Sequence, residues 1–240
     1  MRRHTFAVLA FLGLWALAGG SARAHLVASG GQVVPGSPPA SVDYDALESE
    51  TDIFGFQELE DFVVPYDLPL DATGPGTHTA DAPGSTWLLA GTPVDVYLFH
   101  ADRAGRPEEP VRYTGWARFD EPVLGLVLAT STLDDWDRIV ATHGGTGTFY
   151  PIMTGGGGPG GFRGLESAQP CGTTIFDCVT VSPDLRTVEF DFGVTSFMDQ
   201  VRVITAAAPV PAPAPAALLL AGLAALAATR ARLTCARRRG

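Results

Sequence analysis

The chain has 240 residues, a formal net charge of −10 and 46% hydrophobic residues, enough for one domain with a substantial core between two specialised ends. All 26 Asp and Glu lie between Asp43 and Asp199, and residues 25–207 hold only eight arginines, so this body carries 8 − 26 = −18. Such a surface repels phosphate backbones, which excludes nucleic-acid binding. The chain contains no lysine, which removes Walker-type phosphate binding, Schiff-base chemistry and Ser-Lys catalysis.

At the N-terminus, Arg2 and Arg3 precede a thirteen-residue apolar run, Phe6 to Ala18. Ser21-Ala22-Arg23-Ala24 ends in a small-x-small pattern. Residues 1–24 therefore read as a signal peptide recognised through Ala22 and Ala24, passed by the Sec translocon and cut by signal peptidase before His25. Residues 25–45, rich in Gly, Pro and Ser at their start, are expected to form a flexible leader.

Residues 46–207 are expected to fold as an all-β domain, because short apolar runs alternate with Gly, Pro and Asp. The expected strands are Asp52–Glu58, Phe62–Val64, Leu68–Ala72, Trp87–Leu89, Val94–His100, Val111–Phe119, Val123–Ala129, Thr174–Val181, Thr187–Phe192 and Gln200–Thr205. Val94, Val96 and Leu98 alternate with Asp95, Tyr97 and Phe99, the period of a half-buried antiparallel strand. Tyr113, Ala117 and Phe119 alternate with Arg112, Thr114, Trp116 and Arg118 in the same way.

Ser131 to Ala141 is the one helical stretch, with Leu133, Trp136, Ile139 and Val140 as its apolar stripe. Thr132 is the expected N-cap, and Asp134, Asp135 and Asp137 are explained by capping and the helix dipole. Cys171 and Cys178 frame a short loop in a compartment that permits disulfides, and pairing them would restrain the unfolded chain by roughly 2.5 kcal/mol. Gly155 to Gly161 lacks the Lys-Ser/Thr of a phosphate-binding loop and reads as a linker.

Asp43, Asp45, Glu48, Glu50 and Asp52 form an acidic run without the spacing of an EF-hand. Calcium is the one cofactor left open, with Asp43, Asp45 and Glu48 as candidate ligands on a sandwich rim; the alternative is a charged edge that resists strand pairing. Tyr97, Phe99, Trp116, Trp136 and Tyr150 are either a stacking platform for sugars or core. The histidines have no zinc spacing, no Gly-x-Ser-x-Gly elbow is present, and no catalytic residue is assigned.

The C-terminal region 208–240 opens on a proline stalk, Pro209-Val210-Pro211-Ala212-Pro213-Ala214-Pro215. An uncharged Ala, Leu and Gly run follows, a membrane helix over about 215–229 spanning about 22 Å of a bilayer core of about 30 Å. Arg230, Arg232, Arg237, Arg238 and Arg239 close the chain on the cytoplasmic side. This tripartite tail resembles the PEP-CTERM family of bacterial sorting signals, with Val210, Pro211, Pro213 and Ala214 matching a V-P-x-P-A variant and Ala212 departing from the usual Glu or Leu. The resemblance implies an exosortase-type partner, transient residence in the inner membrane and delivery to the cell surface or extracellular matrix.

Residues 45–205 also resemble secreted bacterial proteins that carry the same kind of tail. The matching stretches are Ala46 to Asp52, Ala90 to His100, Phe119 to Gly125 and Asp199 to Thr205. That resemblance implies an antiparallel β-sandwich of jelly-roll type with no established activity. The expected role is structural or adhesive, with extracellular polysaccharide as a partner. The alternatives are a calcium-dependent carbohydrate-binding module and a secreted hydrolase.

Overall fold

The computed structural model describes residues 25–81, 83–105, 109–151, 163–165, 171, 177–195 and 197–208. The expected signal peptide, residues 1–24, and residues 209–240 of the expected sorting region, with its expected membrane helix, lie outside these residues. No helix among the described residues is long and apolar enough to cross a membrane.

Two five-stranded sheets face each other. The first runs β1 (Leu26–Gly31), β8 (Val111–Phe119), β11 (Thr187–Val194), β10 (Cys178–Val181) and β5 (Gly76–His78). The second runs β2 (Val33–Pro35), β3 (Ile53–Val63), β7 (Pro93–Ala101), β12 (Asp199–Ala206) and β9 (Val123–Val127). All pairings are antiparallel except that of β2 with β3. A two-stranded antiparallel sheet, β4 (Leu68–Leu70) with β6 (Thr86–Leu88), and helix α1 (Thr130–His143) make a third layer over the second sheet.

The expected strand alternation holds in β8, where Tyr113, Ala117 and Phe119 are buried while Thr114, Trp116 and Arg118 are exposed. In β7 it does not, because every residue from Val94 to Ala101 is buried. Tyr97, Phe99 and Ala101 enter the core between the sheets with Phe119, Phe190 and Val203. Val94, Val96 and Leu98 enter a second core against Leu133, Trp136 and Val140 of α1. Strands covered on both faces lose their polar alternation. The apolar stripe expected of the helix is buried as a unit, each large side chain contributing about 1.5–3 kcal/mol.

The expected leader is not a free segment. Residues 26–31 form β1, paired along β8 from Leu26 opposite Phe119 to Gly31 opposite Gly115, and β2 lies beside β3. Residues 26–35 are therefore part of the same compact unit as the sandwich. Backbone hydrogen bonding to a neighbouring strand suffices there, although the Gly- and Ser-rich sequence has weak strand propensity. The two strands expected over 52–64 are one, β3, carried through two irregularities between Gln57 and Phe62. At the second, Asp61 has φ of 49° and its N–H donates to Asp95 Oδ1 at 2.7 Å.

Candidate functional site

The acids of α1 serve a different purpose from the one expected. The N-cap position is Ala129, with no side-chain cap, and Thr132 lies within the buried first turn. The helix entry is held in trans by Asp71, which accepts from Leu128 N, Ala129 N, Gly84 N and Thr132 Oγ1 at 2.6–2.8 Å. Asp134 and Asp137 point inward and bind buried arginines, which overturns the capping explanation; Asp135 is exposed and pairs with Arg138.

Arg202 on β12 makes a two-pronged contact with Glu58 on β3, Nε to Oε2 at 2.5 Å and Nη2 to Oε1 at 2.8 Å. Its Nη2 also reaches Asp137 Oδ1 at 2.9 Å. Arg163 bonds to Asp137 and, at 2.8 Å, to Asp134 Oδ1 and Gln200 Oε1. Gln200 Nε2 donates to Val42 O and to Nδ1 of His100, whose Nε2 faces Leu47 O at 3.1 Å. Burial pushes the His100 pKa down to about 4, so the ring is neutral and the Nε2–H tautomer fits both partners. Burial alone would lower the Arg202 pKa, but the Glu58 and Asp137 carboxylates hold it above its ordinary value. The network ties β3, β7, β12, α1 and residue 163 together beneath the surface and is closed to ligands.

Among the described residues, one surface with room for a ligand is the outer face of the first sheet. An open groove of about 550 Å³ is lined by Gly31, Thr77, Thr114, Trp116, Glu189 and Asp191, with Cys171 and Cys178 at its edge. Trp116 is 37% exposed, and its indole lies on Gly30, where an added Cβ would meet the ring at 2.7 Å. Glycine at this point leaves space for the ring beside the sheet. Register then sets the row of groups crossing the strands: Gly30, Trp116, Glu189, Thr180 and Thr77 are successive cross-strand partners. Thr77 and Thr180 share a hydroxyl hydrogen bond of 2.9 Å. Asp191 pairs with Arg112, while its Oδ1 has no partner among the described residues. The arrangement offers a flat apolar face with hydrogen-bonding groups alongside.

Of the five aromatics considered for a platform, only Trp116 is on the surface; Tyr97, Phe99, Trp136 and Tyr150 are core. A second aromatic surface, which periodicity did not single out, lies on the third layer. Tyr66 and Trp87 are 55% and 59% exposed and line a cavity of about 250 Å³ with Asp67, Asp135 and Arg138. The signal that could have found Trp87 is its place in β6, opposite Pro69 and out of phase with buried Leu88.

Cys171 and Cys178 are paired, their Cα atoms 5.7 Å apart. Among the calcium candidates, the Asp45 N–H donates to Asp102 Oδ2 at 2.9 Å and Glu48 Oε1 accepts from Gly105 N at 3.2 Å. The Asp43 carboxylate accepts from its neighbour Tyr44 N. Burial, with Glu48 and Asp45 nearby, raises the Asp102 pKa to about 6. Among the described residues no group of three or more His, Cys, Asp or Glu is arranged to hold a metal ion. Ala22 and Ala24 of the cleavage pattern, Val210, Pro211, Pro213 and Ala214 of the sorting motif, and the terminal arginines lie outside the described residues. No family model, curated protein or solved structure matches the chain.

Proposed function

We propose that this is an exported, acidic β-sandwich protein, sorted through its C-terminal signal to the cell surface or exopolysaccharide matrix, where it holds polysaccharide chains in a structural or adhesive role. The observation that carries the reading is Trp116, seated on Gly30 and followed in register by Glu189, Thr180 and Thr77 across an open groove. A pyranose ring presents an apolar face to an indole and hydroxyls to its rim, which is what this row can meet. The Tyr66 and Trp87 surface is on the opposite outer layer of the same fold, so one molecule has a place for two chains. The chain's repeated passage between sheets, from β7 to β8 to β9 and from β11 to β12, supports the jelly-roll affiliation.

The test is affinity electrophoresis and co-sedimentation with neutral, amino-bearing and uronic-acid polysaccharides. The body charge of −18 disfavours the uronic-acid polymers. Trp116→Ala is expected to weaken retention about tenfold, equivalent to about 1.4 kcal/mol. Replacing Trp87 as well should abolish it. Unchanged retention in the double variant would refute both surfaces. Full-length protein recovered from the cytoplasmic fraction would refute the exported placement.

A further inference from the structure

Residue 25 occupies a seat of its own. The His25 N–H donates to Asp120 Oδ1 at 2.6 Å, and the Asp120 N–H donates back to His25 O at 3.2 Å. One residue later the chain is already β1, with Leu26 opposite Phe119. The turn between β8 and β9 thus grips the chain beside the bond at which the sequence places signal cleavage.

We infer that Asp120 is the receptor for the amino terminus that signal cleavage creates. In the precursor the nitrogen of His25 is an amide with one N–H. Hydrolysis breaks the Ala24–His25 bond, the hydroxyl of water going to the Ala24 carbonyl carbon and its proton to the His25 nitrogen. That nitrogen then takes up a solvent proton and becomes an α-ammonium group, already within hydrogen-bond distance of a carboxylate. A neutral donor is converted into an ion pair, and charge-assisted bonds of this kind are about twice as strong as neutral ones. The surroundings favour the new charge. Asp95 on β7 interacts electrostatically with His25, Glu60 and Asp61 of β3 lie around Asp95, and Glu121 follows Asp120 in the turn. Cleavage at this bond therefore finishes the edge of the first sheet, and cleavage even one residue earlier displaces the ammonium from its seat. The inference rests on the reading of the protein as exported and cut after Ala24.

The experiment compares chains continuing to Gly240 that start at His25 or at Ala24, each with and without Asp120→Asn, prepared with defined termini so that the result does not depend on export. NMR titration reads the α-amine. In the chain starting at His25 its pKa should lie about half to one unit above the ordinary 7.7–8.0, and Asp120→Asn should return it to that range. The chain starting at Ala24 should show no dependence on Asp120. The sign follows: stability from the pair is present below about pH 8 and is lost as pH rises through the raised value, only in the chain that starts at His25. An α-amine pKa that Asp120→Asn leaves unmoved would overturn the ion pair. A native terminus other than His25, found by intact mass, would instead overturn the cleavage reading and with it the role given to Asp120.

Discussion

Replacing Arg202 by Met removes the centre of the buried charge network without greatly changing side-chain volume. Arg202 has no solvent exposure, nor have the side chains of Glu58 and Asp137. Its loss leaves Glu58 without the two bonds at 2.5 and 2.8 Å, while Asp137 retains Arg163. A buried charge deprived of its partner costs about 3–5 kcal/mol, mostly because the remaining ion must be desolvated alone. At about 2–4 °C per kcal/mol for a domain of this size, the melting temperature should fall by roughly 10 °C. Urea unfolding followed by circular dichroism at pH 7 measures the same loss. The double variant Arg202→Met with Glu58→Leu removes the stranded charge, so it should recover at least half of the loss. If the single substitution costs under about 1 kcal/mol, or if the two effects simply add, the network is not the coupled unit described above.

Burial raises the Asp95 pKa to about 6, so its ionised form destabilises the fold at neutral pH and the stability it supplies below about pH 4 is lost as pH rises through 6. Among the described residues Asp95 Oδ2 and, opposite it on β12, Thr205 Oγ1 have no partner, so Asp95→Asn should add about 1–2 kcal/mol at pH 7.5, allowing for screening, and flatten the rise in stability between pH 7 and 5. His100 acts in the opposite sense: its depressed pKa of about 4 means that its contribution is complete above pH 6.5 and lost as pH falls towards 4, and His100→Gln should remove that part of the acid sensitivity in a denaturation series. Replacing Cys171 and Cys178 by Ser should lower stability by roughly 2.5 kcal/mol, and reductant should then have no further effect on the unfolding curve. Gly164→Ala should destabilise the fold, because its Cβ would sit 2.3 Å from Leu128 O where Gly164 N meets Thr130 Oγ1; a thermal shift assay showing no change would contradict this packing.

Local pattern accounts for much of the fold. The period of two in β8, the stripe of α1 and the close pair of cysteines all concern residues near one another in the chain. The sequence alone also sets the charge asymmetry and the absence of lysine, and with them the chemistries that are excluded. Tertiary structure decided the rest. β1 is a strand because β8 supplies its hydrogen bonds, not because Leu26 to Gly31 prefers to be extended. β7 reads as half-buried, yet a third layer covers its second face. Asp134 and Asp137 have the appearance of dipole partners, but Arg163 and Arg202 reach them from 26 to 65 residues away, and Glu58 meets Arg202 from 144 away. Trp116 became the surface aromatic because Gly30, on a neighbouring strand, leaves its ring room. Periodicity reports which side of an element faces inward. Which group waits on that side depends on strand order, and strand order arises from contacts between distant parts of the chain.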